Sequence, residues 1–233
     1  RIDRRRKFPA TILLKALGYT TEQLLAQFYN IDTVRAAKDG KLLRQIDIEK
    51  MAGQRAITDI VDPKTGEEIV KAGRRITRAV VKKVVAAGMK ELEVNQQDLE
   101  GKIIAKPIID ESTGEIIADV NQEMTVDIIK ASLAAGIREF NVIFFDGLSV
   151  GPFLRNTLLI DKVQTKEESL IEIFKRLRPG EPPTEEAASM FFGRLFFDPE
   201  TYDLSEVGRL KINHRFDISF EETPVSHRTL TQK

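Results

Sequence analysis

The densest chemistry in the sequence is cationic. Arg1, Arg4, Arg5, Arg6 and Lys7 set five positive charges against the single Asp3 in the first seven residues. Arginine's planar fork binds phosphate oxygens in pairs, and such contacts position a nucleic acid without reading its sequence. Salt bridges to neighbouring acidic segments are the competing use of the same run. A second group, Lys175, Arg176 and Arg178, stands at the start of the turn Arg178-Pro179-Gly180-Glu181-Pro182-Pro183. Proline fixes the backbone there and so aims the Arg178 side chain, although turns of this kind more often serve structure. Arg4, Arg5, Arg6 and Arg178 are the candidate nucleic-acid contacts. His214 and His227 have no partners at metal-ligand spacing, and neither a phosphate-cradling glycine loop nor a nucleophile elbow is present. No catalytic residue, metal or cofactor is expected within this chain.

Composition fits local rather than global electrostatics. The 233 residues are 42% hydrophobic, enough for one large or two modest cores. With 36 basic and 36 acidic side chains the net charge is zero, so a nucleic-acid site must be a local patch and binding weak and non-specific. The absence of cysteine fits a reducing compartment, and the simple expectation is cytoplasmic. No apolar run is long enough to span a bilayer, so no membrane partner is expected. The missing initial Met and the abrupt end at Gln232-Lys233 lead to the expectation of a piece cut from a longer chain.

Several elements must position these cations. Residues 1 to 28 predict two short helices, the first with Pro9 in its first turn and Ile12, Leu13, Ala16 and Leu17 on one face, ending at Gly18. Thr20 and Gln23 form a capping box for the second, with Leu24, Leu25 and Phe28 as its apolar side. After Gly151-Pro152 helices return. Thr165 and Glu168 cap one carrying Leu170, Ile173, Phe174 and Leu177, and Thr184 caps another carrying Ala187, Ala188, Phe191, Phe192 and Leu195. A final helix starts near Ser205, and the polar stretch after Ile218 is not assigned.

Between them lies an internal duplication with an offset of 48 residues. Thr65-Gly66-Glu67 falls on Thr113-Gly114-Glu115, Ile76-Thr77 on Met124-Thr125, and Ala86-Ala87-Gly88 on Ala134-Ala135-Gly136. Each copy reads as a hairpin turned by Thr-Gly, a helix capped by Thr77 or Thr125 and stopped by Gly88 or Gly136, and a closing strand, which is a ββαβ-like unit. The two apolar helix faces are expected to bury each other. Charge separates the copies: residues 63 to 90 hold eight basic and two acidic side chains, and residues 111 to 138 two basic and five acidic. Two solvated faces explain this blandly, and an electrostatic partner site on the cationic half explains it more sharply.

The runs Arg1-Ile2-Asp3-Arg4-Arg5-Arg6-Lys7-Phe8-Pro9-Ala10-Thr11, Tyr19-Thr20-Thr21-Glu22-Gln23, Asp110-Glu111-Ser112-Thr113-Gly114-Glu115, Arg178-Pro179-Gly180-Glu181-Pro182-Pro183-Thr184, and Tyr202-Asp203-Leu204 with Val207-Gly208-Arg209 resemble the beta subunit of bacterial DNA-directed RNA polymerase, in the same order. The likeness spans essentially the whole chain. It implies an α+β fold in which a mainly helical lobe beside the DNA cleft, residues 1–29 and 151–233, is interrupted by a lineage-specific insert at 30–150 carrying the repeats, about 60–94 and 108–142. It implies that Arg4, Arg5 and Arg178 face the non-template strand and the DNA entering the cleft. Thr201 stands where some relatives have arginine, so no contact is expected there. The family's catalytic magnesium, nucleotide site and rifampicin pocket lie in parts absent from this chain. The implied function is positioning downstream and non-template DNA during transcription, within a nucleotidyltransferase and beside its other subunits. The alternative is a protein-interaction module for subunits or for transcription regulators docking at the insert.

Overall fold

The computed structural model describes residues 7–37, 41–45, 52–53, 55–56, 59–62, 64–89, 91–143 and 151–230. The fold is mixed α+β, and its contacts divide it into two compact units, Arg1–Thr20 with Ile160–Lys233 and Thr21–Leu159.

The first unit is helical. Helix α1 (Ala10–Ala16) begins one residue after Pro9, which is the N-cap with an extended ψ of 141° rather than a member of the first turn. Either place suits a residue with no N–H to satisfy. Within the same unit, Thr165 opens a helix at Lys166–Leu177 through the expected reciprocal box: its side chain accepts from Glu168 N, while the Glu168 carboxylate accepts from the amides of Gln164 (2.7 Å) and Thr165 (3.3 Å). These amide bonds hold Glu168 below the usual glutamate pKa. Thr184 Oγ1 likewise accepts from Ala187 N at 3.2 Å to start a helix at Glu185–Phe196. The core of the unit gathers Ile12, Ala16, Val163, Leu170, Ile173, Phe174, Ala188 and Phe192. The periodicity of these apolar positions thus predicts which helix faces meet.

A last helix, Ser205–Phe216, anchors the stretch that the sequence leaves unassigned. Arg209, 3% exposed, donates to the carbonyls of His227 and Thr229, and Asn213 Nδ2 donates to Thr223 O at 2.6 Å. Side-chain bonds to backbone carbonyls, rather than apolar burial, tie this polar segment down.

The second unit starts with α2 (Thr21–Phe28) and is built on a five-stranded antiparallel sheet. Its strands are β1 (Ile31–Ala36), β2 (Leu42–Gln45), β5 (Glu91–Val94), β6 (Ile103–Ile104) and β9 (Glu139–Ile143), in the order β5-β2-β1-β9-β6. Strand β1 pairs with β9 with Val34 opposite Phe140, both fully buried. Asp32 shares the buried face of β1 with Val34 and Ala36, and it accepts from Arg44 Nη2 of β2 at 2.6 Å. Two small hairpins flank the sheet, β3 (Ile60–Val61) with β4 (Glu68–Val70) and β7 (Ile108–Ile109) with β8 (Ile116–Ala118). The first leads to α3 (Arg78–Ala86); the short α4 (Gln96–Leu99) follows β5, and β8 leads to α5 (Val126–Ala134).

The backbone bonds of the two hairpins recur at the 48-residue offset. Asp62 N to Glu67 O and Asp110 N to Glu115 O are both 2.9 Å, and Gly53 N to Ile76 O (2.8 Å) is matched by Gly101 N to Met124 O (2.9 Å). Gly66 and Gly114 take φ of 72° and 74°, the left-handed region that glycine enters without steric cost. Thr77 and Thr125 accept from Val80 N and Ile128 N, and Gly88 and Gly136 end the helices at φ of 74° and 82°.

The helices do not bury each other as expected. Val81 and Val84 of α3 share a core with Ile60, Val70 and Ile76, whereas Ile129 of α5 joins Ile108, Ala118, Met124 and the sheet residues Val34, Phe140 and Val142. The physical reason is proximity. A hairpin directly preceding each helix offers it an apolar face at low loop-closure cost.

The remaining helices are α6 (Phe153–Ile160), in the second unit up to Leu159, then α7 (Lys166–Leu177), α8 (Glu185–Phe196) and α9 (Ser205–Phe216) of the first.

Candidate nucleic-acid interface

Three of the sequence-level candidates, Arg4, Arg5 and Arg6, lie outside the described residues. Their neighbour Lys7 is described and exposed, and its carbonyl accepts a hydrogen bond from Arg176 Nη1 at 3.3 Å. Phe8 beside it packs on the core of the helical unit. The chain leaving the N-terminal basic run is therefore held against the C-terminal end of α7, the end that presents Lys175, Arg176 and Arg178.

Arg178 is the C-cap of α7, its backbone N bonded to Phe174 O at 2.8 Å. The helix stops here because Pro179 follows and disfavours helical geometry in the residue before it. The side chain is 55% exposed. It is nevertheless placed: its guanidinium carbon sits 5.6 Å from the centroid of the Phe191 ring and Nη1 lies 3.5 Å from Glu181 Oε1. Phe191 is itself braced edge-on by Phe174, ring centroids 5.5 Å apart. An exposed pair and a cation–π contact each contribute about 1 kcal/mol or less, enough to bias a rotamer without committing the cation. A guanidinium stacked on a ring keeps its in-plane N–H donors for other acceptors. Arg176 is tethered similarly, Nε to Glu172 Oε1 at 3.1 Å, one turn back on α7. Arg176 and Arg178 at this end of α7 are thus exposed and preoriented, a form suited to phosphate contact and not to base readout.

The Arg178–Phe191 contact escapes sequence reasoning, which places Phe191 only as an inward residue of α8. A pairing between two helices leaves no local spacing signal. His214 is exposed on α9, and His227 lies in the segment whose carbonyl takes Arg209. Thr201 Oγ1 donates to Arg194 O at 2.7 Å, a structural bond. Among the described residues no group of three or more His, Cys, Asp and Glu side chains gathers as a metal site, and no helix is long and apolar enough to cross a membrane.

No protein-family profile matches the chain. Similar curated proteins are DNA-directed RNA polymerase subunit beta of Bdellovibrio bacteriovorus, 72% identical over all 233 residues, that of Geobacter sp. (strain M21), 52% identical over 233 residues, and that of Sorangium cellulosum, 47% identical over 96% of the chain. The chain spans 16% of the length of the first and 17% of the second. With identity this high along its whole length, the chain belongs to the family of DNA-directed RNA polymerase beta subunits, of which it represents one stretch.

Proposed function

We propose that this stretch positions downstream and non-template DNA along the cleft of a cytoplasmic DNA-directed RNA polymerase, beside the enzyme's other subunits. Nucleotidyl transfer and its magnesium are assigned to parts outside the chain. The observation that carries the reading is the Arg176–Lys7 bond, which brings Lys7, the last cation of the N-terminal basic run, to the end of α7 that bears Arg178. Arg4, Arg5 and Arg6, directly preceding Lys7 in sequence, are proposed as further phosphate contacts.

The proposed organisation is a lobe of residues 1–29 and 151–233 with an insert at 30–150. An insertion needs ends that lie close together. Tyr29 OH donates to Gly151 O at 3.2 Å and accepts from Arg155 N at 3.2 Å, which supports this division. The recurrence of turns, caps and stops 48 residues apart supports reading about 60–94 and 108–142 as two copies of one ββαβ unit. A second reading, docking of transcription regulators at the insert, is favoured by the opposite charge of the two copies.

The test is Arg178→Ala in the assembled polymerase. Because Arg178 is more than half exposed, the expected loss is about 1 kcal/mol, so promoter open complexes should dissociate roughly fivefold faster while nucleotide addition is unchanged. The log–log salt slope should fall by about 0.9 for the lost phosphate contact. An unchanged lifetime at both low and high salt would reduce Arg178 to a part of the turn.

A further inference from the structure

The two halves of the second unit present the same edge twice, and among the described residues one copy is covered by a helix and the other is not. In the acidic half the edge carries Asn121 and Glu123, with Glu123 bridged to Ile103; in the basic half Gly73 and Arg75 stand at those places, with Arg75 bridged to Arg55. Helix α6 sits on the acidic edge. Arg155 Nη2 pairs with Glu123 Oε1 at 2.9 Å, and Asn121 Nδ2 donates to the Arg155 carbonyl at 3.3 Å. The Arg155 side chain is only 14% exposed in this seat, and Leu158, one turn on, is buried.

On the basic edge Arg75 is exposed, and among the described residues no carboxylate pairs with it. Its guanidinium lies over Gly53, Nη2 3.9 Å from where a Cβ would stand. A groove of about 760 Å³ opens here, with Ala52, Ile76 and Val81 as an apolar lining and Arg75, Arg78 and Lys82 as its cations.

We infer that this groove docks an acidic helix of a partner protein, seated as α6 is on the other half but with the signs exchanged: a carboxylate meets Arg75 where Arg155 meets Glu123. The chemistry of the partner follows from α6. It is a helix with an Asp or Glu three residues ahead of a Leu-like side chain, so that charge and apolar group share one face. An apolar lining suits such a helix better than a phosphate backbone, which offers nothing to bury. The inference rests on the two-copy reading above and is independent of DNA contact by Arg178.

The probe is a helix-stabilised, fluorescein-labelled peptide of residues 151–162 carrying Arg155→Glu, titrated into the 233-residue chain by fluorescence anisotropy. Binding is expected, weakened at least about tenfold by Arg75→Glu in the chain, and the same peptide with Arg155 retained should bind the Arg75→Glu chain better than the acidic peptide does. If Arg75→Glu loses the native circular dichroism spectrum, Lys82→Glu at the exposed rim takes its place, with a threefold or greater weakening expected, on the order of a surface ion pair. Equal binding to parent and variant chains overturns the inference, as does no binding of the acidic peptide. So does a short DNA duplex whose binding, unlike the peptide's, is lost on Arg75→Glu. The two-copy reading fails separately, if hydrogen exchange shows that α3 and α5 do not share the same pattern of protected amides.

Discussion

Lys15→Ala is expected to destabilise the helical unit by about 3–5 kcal/mol, the cost of breaking a buried ion pair by removing one partner. Lys15 is 1% exposed, its Nζ donates to Val163 O at 2.7 Å, and it stands 3.6 Å from Asp161 Oδ2, a side chain with no exposure. Among the described residues neither carboxylate oxygen of Asp161 accepts a hydrogen bond, so the Lys15 charge is what offsets its burial. Truncating Lys15 strands that carboxylate and opens a void as well. Lys15→Met with Asp161→Leu should recover most of the loss, because a buried pair replaced by apolar groups of similar volume is often neutral. Urea unfolding followed by circular dichroism measures both. A loss below about 1 kcal/mol for Lys15→Ala would mean that water reaches the site and screens it.

That pair was not legible in the sequence, and the reason is general to the molecule. Lys15 falls on the buried face of α1 together with Ile12, but a lone lysine among apolar residues reads as a solvated interruption until Asp161, far along the chain, is known to meet it. Strand β1 was missed for the same reason. Asp32 stands at a buried position of the alternation Asp32, Val34, Ala36, and the alternation is recognisable only once Arg44 is seen to satisfy the charge. By contrast Thr77, Thr125, Thr165 and Thr184 were all readable as caps, since a cap bonds an amide three residues away and its signal is entirely local. The glycine turns were readable because backbone conformation alone demands them. At the candidate interface the sequence supplied the cations, but the contacts that hold them, Arg176 to Lys7 and Arg178 to Phe191, join elements that only the fold brings together.

In the second unit Asp32→Ala is expected to cost about 3–5 kcal/mol and to exceed Arg44→Ala. The Asp32–Arg44 pair is 2.6 Å long, with side chains 5% and 8% exposed. Lys102 lies in the same field: burial lowers its pKa first, the Arg44 charge lowers it further, and Asp98 and Asp32 act against both. Removing Asp32 therefore leaves the buried Arg44 and the half-buried Lys102 repelling each other, whereas removing Arg44 leaves Asp32 with Lys102 as a remaining counter-charge and relieves the repulsion on that lysine. The order of the two variants in urea is the informative outcome. Equal losses would mean that Lys102 does not share the site, and a larger loss for Arg44→Ala would mean that its contacts to β2 packing outweigh its charge.

In the working enzyme the end of α7 bearing Arg178 is expected to lie along DNA. The most direct measurement replaces Arg178 with a photocrosslinking amino acid in the assembled polymerase and irradiates open complexes on a promoter labelled separately on each strand. Crosslinks to the non-template strand or to the downstream duplex are expected, suppressed at high salt as phosphate contacts are. Crosslinks to polypeptide alone, on either labelled promoter and at low as well as high salt, would contradict it.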